Sequence, residues 1–278
     1  MMEINRRHVG ARRLRQVHGG RSMTRTRSHK QSIWVATSLM SVWVLLGCAP
    51  SQERRTQADN NYRVAQQYLG GQSYLLAEQE IRKSLDMVPD DPRYFELLAL
   101  IYQAQGRLKH ADEAYHAALR HKDVPPSVLV NYSSLLLLQN RYDDAIATAQ
   151  RALQHPSYDR PALAHTNIGL AYLKQGELAR AAEHLRTALD YQPALPEAHH
   201  NLGLVHARLG EYDEAILSFR EAIRARPAYP EAYVSLAEVL LEEGRHQEAR
   251  AAFEQVIDLA PDSTFAIASR RQLQWLTP

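Results

Sequence analysis

The sequence predicts an all-α protein in which six pairs of helices and one closing helix stack on each other. Three observations predict this fold class. Small residues recur with a period near 34 residues, a helix breaker stands within each period, and no segment is a candidate strand. A single helical pair cannot bury its own apolar face. The pairs are therefore expected to form a core only by stacking on their neighbours.

The pattern is clearest in residues 199–227, which we interpret as two helices separated by a break at Gly210. Each helix carries a stripe of apolar and small residues at helical spacing, and the second helix stops before Pro227. The small residues let the helices approach closely, and the larger ones fill the remaining space. The stripes are Leu202, Gly203 and His206 on the first helix and Ala215, Phe219 and Ala222 on the second.

The same landmarks recur in one register through most of the chain. The small residue that opens each second helix recurs at intervals of 34 residues, with one interval of 36, at Ala77, Ala111, Ala145, Ala181, Ala215 and Ala249. The small residue of each first helix recurs at Ala65, Ala99, Ser133, Gly169, Gly203 and Ala237. The breaker recurs at Gln72, Gly106, Asn140, Gly176, Gly210 and Gly244. Agreement between independent landmarks indicates six copies of one unit.

This register resembles that of the tetratricopeptide repeat (TPR) family. The resemblance implies a right-handed TPR solenoid of six helix-turn-helix repeats, in which the first helix of each repeat lines the inside. We place the repeats at 58–91, 92–125, 126–161, 162–195, 196–229 and 230–261. Residues 262–278 are expected to form a C-terminal capping helix, with Asp262 or Ser263 as its N-cap. The apolar residues expected to cover the end of the stack are Phe265, Ile267, Leu273 and Leu276.

One irregular interval separates the third and fourth repeats. The segment 155–163 contains the two-residue insertion that lengthens this interval to 36 residues. Because the curvature of a solenoid depends on identical stacking of its units, we expect the insertion to shift the superhelix between the two halves.

Charge is unevenly distributed along the chain, whose formal net charge is +2. Residues 1–47 contain nine basic residues and one acidic residue, Glu3, so the remainder carries 24 basic and 30 acidic residues and a net charge of −6. No basic stripe remains on the repeats to neutralise phosphates. We therefore expect no nucleic-acid partner.

Residues 1–47 have the parts of a bacterial export signal. Arg25, Arg27 and Lys30 precede the apolar run Ile33–Leu46. A helix of these 14 residues would extend about 21 Å, which is less than the roughly 30 Å of a bilayer core. A signal peptide is therefore favoured over a permanent transmembrane helix. Met23 opens a signal of ordinary length, and we hypothesise that it is the true initiator.

The signal ends in Leu-Leu-Gly-Cys at residues 45–48, which resembles a lipobox. The resemblance implies cleavage before Cys48 and a diacylglyceryl group on its sulfur. Cys48 is the only cysteine, so an intramolecular disulfide is excluded. The alternative is a chance cysteine behind an uncleaved anchor. We interpret residues 48–57 as the lipidated cysteine and a solvated polar tether.

The residues after Cys48 bear on localisation. In such lipoproteins an Asp after the cysteine marks retention in the inner membrane, whereas Ala49 and Pro50 follow here. The resemblance therefore implies attachment, through the lipid anchor, to the periplasmic face of the outer membrane.

No motif for catalysis is present in the sequence. We find no Gly-rich phosphate loop, no nucleophile with its flanking motif and no paired cysteines. Thirteen histidines are present, but those at equivalent repeat positions, His165 and His199, follow the repeat spacing and lack an HExxH-like pair. Packing or solvent exposure is favoured over metal binding, so we expect no enzyme activity, no cofactor and no metal.

A row of asparagines is the candidate binding feature. Asn131, Asn167 and Asn201 occupy one inward position of successive first helices, and Ser235 continues the row. A side-chain amide both donates and accepts, so such a row could hold the backbone of an extended peptide. The row resembles the asparagine ladder of peptide-binding TPR superhelices. Asparagine at this position can equally bond a neighbouring turn, and the sequence leaves the two roles open.

Five further residues complete the predicted peptide-binding groove. Leu170, Leu173 and Leu204 are expected to form an apolar floor, while Lys174 and Arg208 could pair with a carboxylate of the bound polypeptide. A full carboxylate clamp would need more cations than these two.

The lipobox, short tether and six repeats together resemble the TPR lipoproteins of type IV pilus biogenesis and stability, the pilotins. Local resemblance is strongest over residues 128–145 and 157–173. It implies a non-enzymatic protein that binds a secretin subunit and supports secretin assembly at the outer membrane. The alternative is a TPR scaffold lipoprotein for the polysaccharide or peptidoglycan machinery of the cell envelope.

Overall fold

The computed structural model describes residues 50–276, so the signal peptide, Met23 and Cys48 lie outside the described residues. Within that range the chain is all helical, and the predicted fold class is confirmed. The thirteen described helices are α1 (Gln52–Gly70), α2 (Tyr74–Met87), α3 (Pro92–Ala104), α4 (Leu108–Ala118), α5 (Pro126–Leu138), α6 (Tyr142–Leu153), α7 (Pro161–Gln175), α8 (Leu178–Tyr191), α9 (Pro196–Leu209), α10 (Tyr212–Ala225), α11 (Pro230–Glu242), α12 (His246–Leu259) and α13 (Thr264–Trp275).

Proline begins five of the odd-numbered helices, α3 to α11. Its fixed φ suits the first helical position, where its missing N–H leaves no hydrogen bond unmade. Between the helices of a pair, the breaker adopts a left-handed conformation, as Gly176 does with a φ of 83°. Two breakers are not glycine, namely Gln72 and Asn140, with φ values of 57° and 59°. The predicted turns therefore occur where the sequence places them.

The odd-numbered helices form one continuous surface, which we call the inner wall. Each odd-numbered helix contacts the next odd-numbered helix, from α1 to α13. In the described part of the chain, no two even-numbered helices bring Cα atoms within 8 Å of each other. Helices packed more closely on one side place that side on the inside of a curved stack. The first helices of the repeats therefore line the inside.

Close approach within a pair depends on the small residue of its first helix. A Cβ on Gly169 would lie 2.6 Å from Cγ of Leu185, and one on Gly203 would lie 2.6 Å from Cε1 of Phe219. Contacts this short force a shift of the neighbouring side chain. Leu185 and Phe219 are themselves fully buried, so glycine is the residue that fits at both positions.

The tether is shorter than the sequence indicated. We expected a solvated linker through residue 57, but α1 begins at Gln52, and that part of the expectation is wrong. Ser51 caps the helix, since its Oγ accepts a hydrogen bond from the backbone N–H of Arg54 at 3.3 Å. Residues 52–57 are exposed, so they carry no apolar period although they are helical.

The closing helix α13 packs on α12 and α11, the contacts that a seventh first helix would make. Ser263 is its N-cap, with Oγ accepting from the N–H of Ala266 at 3.1 Å. Ala266 and Ser269 form its buried face. Leu273 and Leu276 pack against the core as expected, whereas Ile267 is 56% exposed, so our expectation that it also covers the end of the stack is wrong.

The two-residue insertion lies in the connection 154–160, between α6 and α7. Tyr158 turns back onto the core formed by α5, α6 and α7. The insertion therefore adds a packed side chain between the third and fourth repeats.

In the described part of the chain, no helix is both long enough and apolar enough to cross a bilayer.

Candidate functional site

The inner wall carries the asparagine row at the junctions between successive repeats. Asn131, Asn167, Asn201 and Ser235 each lie two residues before the small residue of their helix. At that position each side chain is close to the first helix of the preceding repeat. Their hydrogen bonds differ from junction to junction.

Asn131 bonds the preceding repeat through a carboxylate. Its Nδ2 donates to Oε1 of Glu96 at 2.6 Å, and Oγ of Ser127 donates to Oε2 of the same carboxylate at 3.2 Å. Glu96 is buried, and burial raises its pKa from the ordinary value. Asn131 therefore joins the second and third repeats.

Asn167 bonds the preceding repeat through three acceptors. Its Nδ2 lies 3.1 Å from the carbonyl oxygen of Val130, 2.7 Å from Oγ of Ser133 and 3.0 Å from Oγ of Ser134. Its donor is fully used in holding the third and fourth repeats together. The sequence left open a bond to a neighbouring turn, but Asn131 and Asn167 instead bond the first helix of the preceding repeat.

Asn201 is the exception. Its side chain is 7% exposed, yet it forms no hydrogen bond with any residue in the range 50–276. Gly169 and Leu170 stand where the third repeat has its two serines, so no hydroxyl is available there. The hydroxyl of Thr166 donates to the carbonyl oxygen of Ala162 at 2.8 Å within its own helix. The amide of Asn201 therefore has no hydrogen-bond partner in residues 50–276, and since neither of its polar atoms is among the fully buried unbonded atoms of that range, the amide remains open to a ligand or to water.

A cavity of about 350 Å³ lies at this junction between the fourth and fifth repeats, and we call it the junction cavity. Its walls combine apolar side chains with a few polar groups, a composition typical of binding pockets. Arg226 pairs with Glu197 at its rim. The walls include Asn201, Leu163, Leu170, Leu195, Glu197 and Tyr229.

A second cavity, of about 220 Å³, lies one junction earlier, and we call it the insertion cavity. Tyr158 and Arg160 from the connection 154–160 form one side, and Asn131 lies on the other. Leu163 lines both cavities. The two cavities are thus neighbours on the inner wall, separated by the side chain of Leu163.

Ser235 ends the row at the junction between the fifth and sixth repeats. Its Oγ lies 3.1 Å from Nε2 of His200, and Nδ1 of His200 lies 3.4 Å from Oη of Tyr229. Burial lowers the pKa of His200 to about 4, Glu197 opposes this shift, and Lys174 adds to it. His200 is therefore neutral at pH 7 and can exchange hydrogen bonds with both hydroxyls.

The structure separates the remaining predicted groove residues. Leu170 lines the junction cavity, and Leu204 is half-buried against the core on either side. Leu173 is 1% exposed and packs in the core, so our expectation that it forms the groove floor is wrong. It does not share the face of α7 that carries Leu163, Asn167 and Leu170. Lys174 is exposed. Arg208 donates from Nη1 to the carbonyl oxygen of Leu173 at 2.6 Å, which caps the end of α7.

Sequence reasoning missed Leu163, Leu195 and Tyr158 as cavity residues. Leu163 lies four residues before Asn167 and therefore on the same face of α7, which is a signal that could have identified it. Leu195 and Tyr158 lie outside the helices, where the repeat period gives no direction for a side chain.

The histidines and an outer cleft are the other polar features of the described residues. Nδ1 of His165 lies 3.0 Å from Nδ1 of His184, and burial lowers the pKa of both rings. Across residues 50–276, no three or more His, Cys, Asp or Glu side chains form a group that could hold a metal ion. An outer cleft of about 630 Å³ has polar walls whose groups are paired, such as Gln175 with Asp143 at 2.8 Å and Arg180 over the ring of Tyr172.

Comparison with known proteins identifies the repeats. One tetratricopeptide repeat family model matches residues 96–160 and 166–230, and a second matches residues 208–270. The chain belongs to the tetratricopeptide repeat family. The matched segments cover most of the second to sixth repeats and most residues of both inner-wall cavities, although Leu163 lies in the unmatched gap 161–165.

Among characterised proteins, the TPR chain is similar to the type IV pilus assembly protein PilF of Pseudomonas aeruginosa. The two are 31% identical over 113 residues, which are 41% of this chain and 45% of PilF. The similarity in sequence thus spans less than half the length of that relative.

Solved structures extend the likeness over more of the chain. PilW, described as a widely conserved type IV pilus biogenesis factor, matches with a TM-score of 0.67 and 25% identity over 75% of this chain and 96% of PilW. The structure of P. aeruginosa PilF matches with a TM-score of 0.66 and 22% identity over 81% of this chain and 100% of PilF. The protein is a TPR solenoid that resembles type IV pilus biogenesis factors.

Proposed function

We propose that this protein is a non-enzymatic TPR lipoprotein of type IV pilus biogenesis, a pilotin that binds secretin subunits and supports their assembly in the outer membrane. The observation that carries the proposal is the similarity to PilF in sequence and to PilW in fold. Both relatives are described as proteins of type IV pilus assembly or biogenesis.

The inner wall supplies the binding surface in this proposal. TPR repeats generally bind proteins or peptides, and the unbonded amide of Asn201 lies among apolar side chains in the junction cavity. A polypeptide segment can supply both the hydrogen bond and the apolar group that this cavity accommodates. Binding and positioning require no reacting group.

Attachment to the outer membrane is the second part of the proposal. Acyl chains on Cys48 contribute about 0.8 kcal/mol for each buried methylene, and several chains hold a protein firmly at a membrane. Ala49 and Pro50 after the cysteine support export to the outer membrane rather than retention. The repeats then face the periplasm, where secretin subunits arrive.

Deletion of the gene tests the pilotin role. We expect loss of the heat-stable secretin multimer on unheated gels of outer membranes, and recovery when the wild-type gene or a Gln150→Ala variant is supplied. Gln150 lies in the outer cleft, away from the inner wall, so this variant controls for expression. Normal multimer levels in the deletion strain would refute the role in secretin assembly.

The Cys48→Ser variant tests the anchor. We expect the protein to move from the membrane to the soluble fraction while its thermal unfolding stays unchanged, because no described helix includes Cys48. Fractionation and circular dichroism measure the two properties. Retention of the variant in the outer membrane would show that another element attaches it.

A further inference from the structure

Helix α1 begins earlier in its repeat than the other first helices do. In the second, third, fifth and sixth repeats the first helix begins at a proline that has one fixed place in the repeat, such as Pro196 before Gly203. The first repeat has Ala58 at that place, and α1 already begins at Gln52. An alanine lets the helix continue where a proline would interrupt it. Residues 52–57 thus lengthen α1 by about 9 Å, and we call them the α1 extension.

No other helix of the described chain covers the α1 extension. All residues from Ser51 to Gln57 are exposed, whereas Ala58 is fully buried. Six helical residues complete more than about one and a half turns, so the extension is uncovered on every side. Its side-chain hydrogen bonds are local, such as the bond from Nε of Arg55 to the carbonyl oxygen of Pro50 at 3.4 Å. Within residues 50–276, the extension is therefore a surface without a partner.

The charge of the α1 extension favours an anionic partner. It contains one acidic residue, Glu53, and two basic residues, Arg54 and Arg55, so its net charge is +1. Neither arginine forms an ion pair with any residue in the range 50–276, whereas Arg82 on the neighbouring helix α2 pairs with Glu78 at 2.9 Å. A guanidinium group binds a phosphate through two parallel hydrogen bonds. Two such groups are available on this extension.

The proposed lipid anchor places a phosphate-rich surface beside these arginines. Acyl chains on Cys48 hold that residue at the edge of the hydrocarbon core. The three residues 49–51 separate it from α1, and even fully extended they span at most about 11 Å. The headgroup layer of one leaflet is itself about 5–8 Å thick. The α1 extension therefore begins within or directly against the lipid headgroups.

We propose that the α1 extension docks on the headgroup layer of the bilayer, with the guanidinium groups of Arg54 and Arg55 bonded to lipid phosphates. The lipid holds the protein at the membrane, and the extension holds the first repeat in a fixed orientation there. The inference rests on the lipid-anchor part of the proposed function. It does not depend on a role in secretin assembly.

A spin label at residue 52 tests this contact. The sulfur of Cys48 is blocked by its acyl group, so a single Gln52→Cys replacement in the lipidated full chain takes up the label selectively. Gln150→Cys, in the outer cleft, is the reference position. The protein is reconstituted in vesicles of phosphatidylcholine with about one third phosphatidylglycerol, and EPR power saturation measures collisions with a neutral nickel complex in the water. We expect collisions at residue 52 to be at least about threefold fewer than at residue 150.

Charge variants in the same turn identify the groups that make the contact. The double variant Arg54→Gln, Arg55→Gln removes both cations. Each basic residue near an anionic surface favours the contact about fivefold, so this variant should raise the collisions at residue 52 at least about threefold. High salt should act in the same direction, because it screens surface charge. Equal collisions in the wild type and the double variant would overturn the proposal.

Glu53→Gln is the matched control, since it changes the charge of the same turn in the opposite direction. It should lower the collisions at residue 52 or leave them unchanged. Circular dichroism confirms that each variant is folded, which is expected because the replaced side chains are exposed. A rise in collisions equal to that of the double variant would show that charge does not hold the extension at the membrane, and would also overturn the proposal.

Flotation of the vesicles separates this inference from the proposed function. Protein that floats with the vesicles while residues 52 and 150 collide equally would keep the lipid anchor and overturn the inference. Protein that does not float would refute the anchor and the inference together. Equal protection of residue 52 in uncharged maltoside micelles would assign the extension to a second copy of the chain and overturn the membrane contact. Normal secretin multimers in the deletion strain would refute the pilotin role and leave the inference standing.

Discussion

Two junctions of the inner wall contain the same residue at the same position and differ in what it bonds. Between the third and fourth repeats, Asn167 donates to Val130, Ser133 and Ser134. Between the fourth and fifth repeats, Asn201 has no such partner in the described chain and lies in a cavity of about 350 Å³. We call the first junction closed because its asparagine amide is bonded by the preceding repeat, and the second open because its amide has no such bond.

The difference arises from the preceding repeat rather than from asparagine itself. Ser133 and Ser134 supply two hydroxyls to Asn167, whereas Gly169 and Leu170 occupy the equivalent positions before Asn201. Gly169 cannot be enlarged because Leu185 lies against it. The close packing of Gly169 against Leu185 in the fourth repeat therefore leaves Asn201 of the fifth repeat without a hydroxyl to bond.

The largest expected effect concerns the next junction, which a neutral histidine closes. The folded pKa of His200 is about 4 and its unfolded pKa is 6.5, so its contribution to stability is complete above pH 6.5 and is lost as pH falls towards 4. Replacing it by His200→Gln should reduce the loss of stability between pH 7 and pH 4 by on the order of 3 kcal/mol. Urea unfolding at a series of pH values measures this.

The neighbouring variant His199→Gln is the matched control for that measurement. The ring of His199 bonds the carbonyl oxygen of Pro193, so the His199→Gln variant keeps the contacts of His200 with Ser235 and Tyr229. If His200→Gln and His199→Gln give the same profile, the histidine does not close the junction as a neutral group.

The next effect tests the closed junction directly. Asn167→Ala removes the donor shared by Val130, Ser133 and Ser134 and should lower the free energy of unfolding by about 1–3 kcal/mol. Thermal and urea unfolding measure the change. A loss below about 0.5 kcal/mol would mean that these hydrogen bonds do not hold the repeats together.

A smaller effect should follow from closing the open junction. Leu170→Ser places a hydroxyl where the third repeat has Ser134, so Asn201 gains a partner worth about 1 kcal/mol. The cost of Leu170→Ser to stability should therefore be about 1 kcal/mol smaller in the wild type than in an Asn201→Ala background. A double-mutant cycle of urea unfolding measures the coupling, and additive effects would contradict the comparison.

The smallest effect is that of Asn201→Ala on stability. Since the amide has no partner in residues 50–276, its removal breaks no hydrogen bond and should change the free energy of unfolding by less than about 0.5 kcal/mol. The same unfolding measurements as for Asn167→Ala give a direct contrast. A loss equal to that of Asn167→Ala would remove the distinction between the two junctions.

Much of the fold follows from the sequence because its landmarks have local causes. A breaker such as Gly210 ends one helix, and a small residue such as Gly203 sets the approach of two helices, so both can be read within one repeat. The start of α1 at Gln52 could not be read this way, since exposed helical residues need no apolar period. A cap at Ser51 was the available signal.

The site was less predictable because its properties depend on residues about 34 positions apart. The asparagine row identified the inner wall, but whether each amide is satisfied depends on the preceding repeat. The sequence shows Ser133 in one repeat and Gly169 at the equivalent position of the next. Only the contact between successive first helices shows that this difference decides whether the following asparagine has a hydrogen-bond partner. Leu173 was predicted on the inner wall and lies in the core. Adjacent positions on a helix differ by about 100°, so an error of one position is enough to move a side chain from the wall to the core.

The unequal packing of the two helix sets has a mechanical consequence. The odd-numbered helices approach each other closely along the whole inner wall, whereas the even-numbered helices of the described chain are farther apart and are joined by long side chains, such as Arg220 and Glu248 at 2.9 Å. Such a stack can bend by changing the distances between even-numbered helices, while the closely packed odd-numbered helices keep their spacing. A polypeptide bound along the inner wall would thus keep its contacts with the odd-numbered helices while the stack bends.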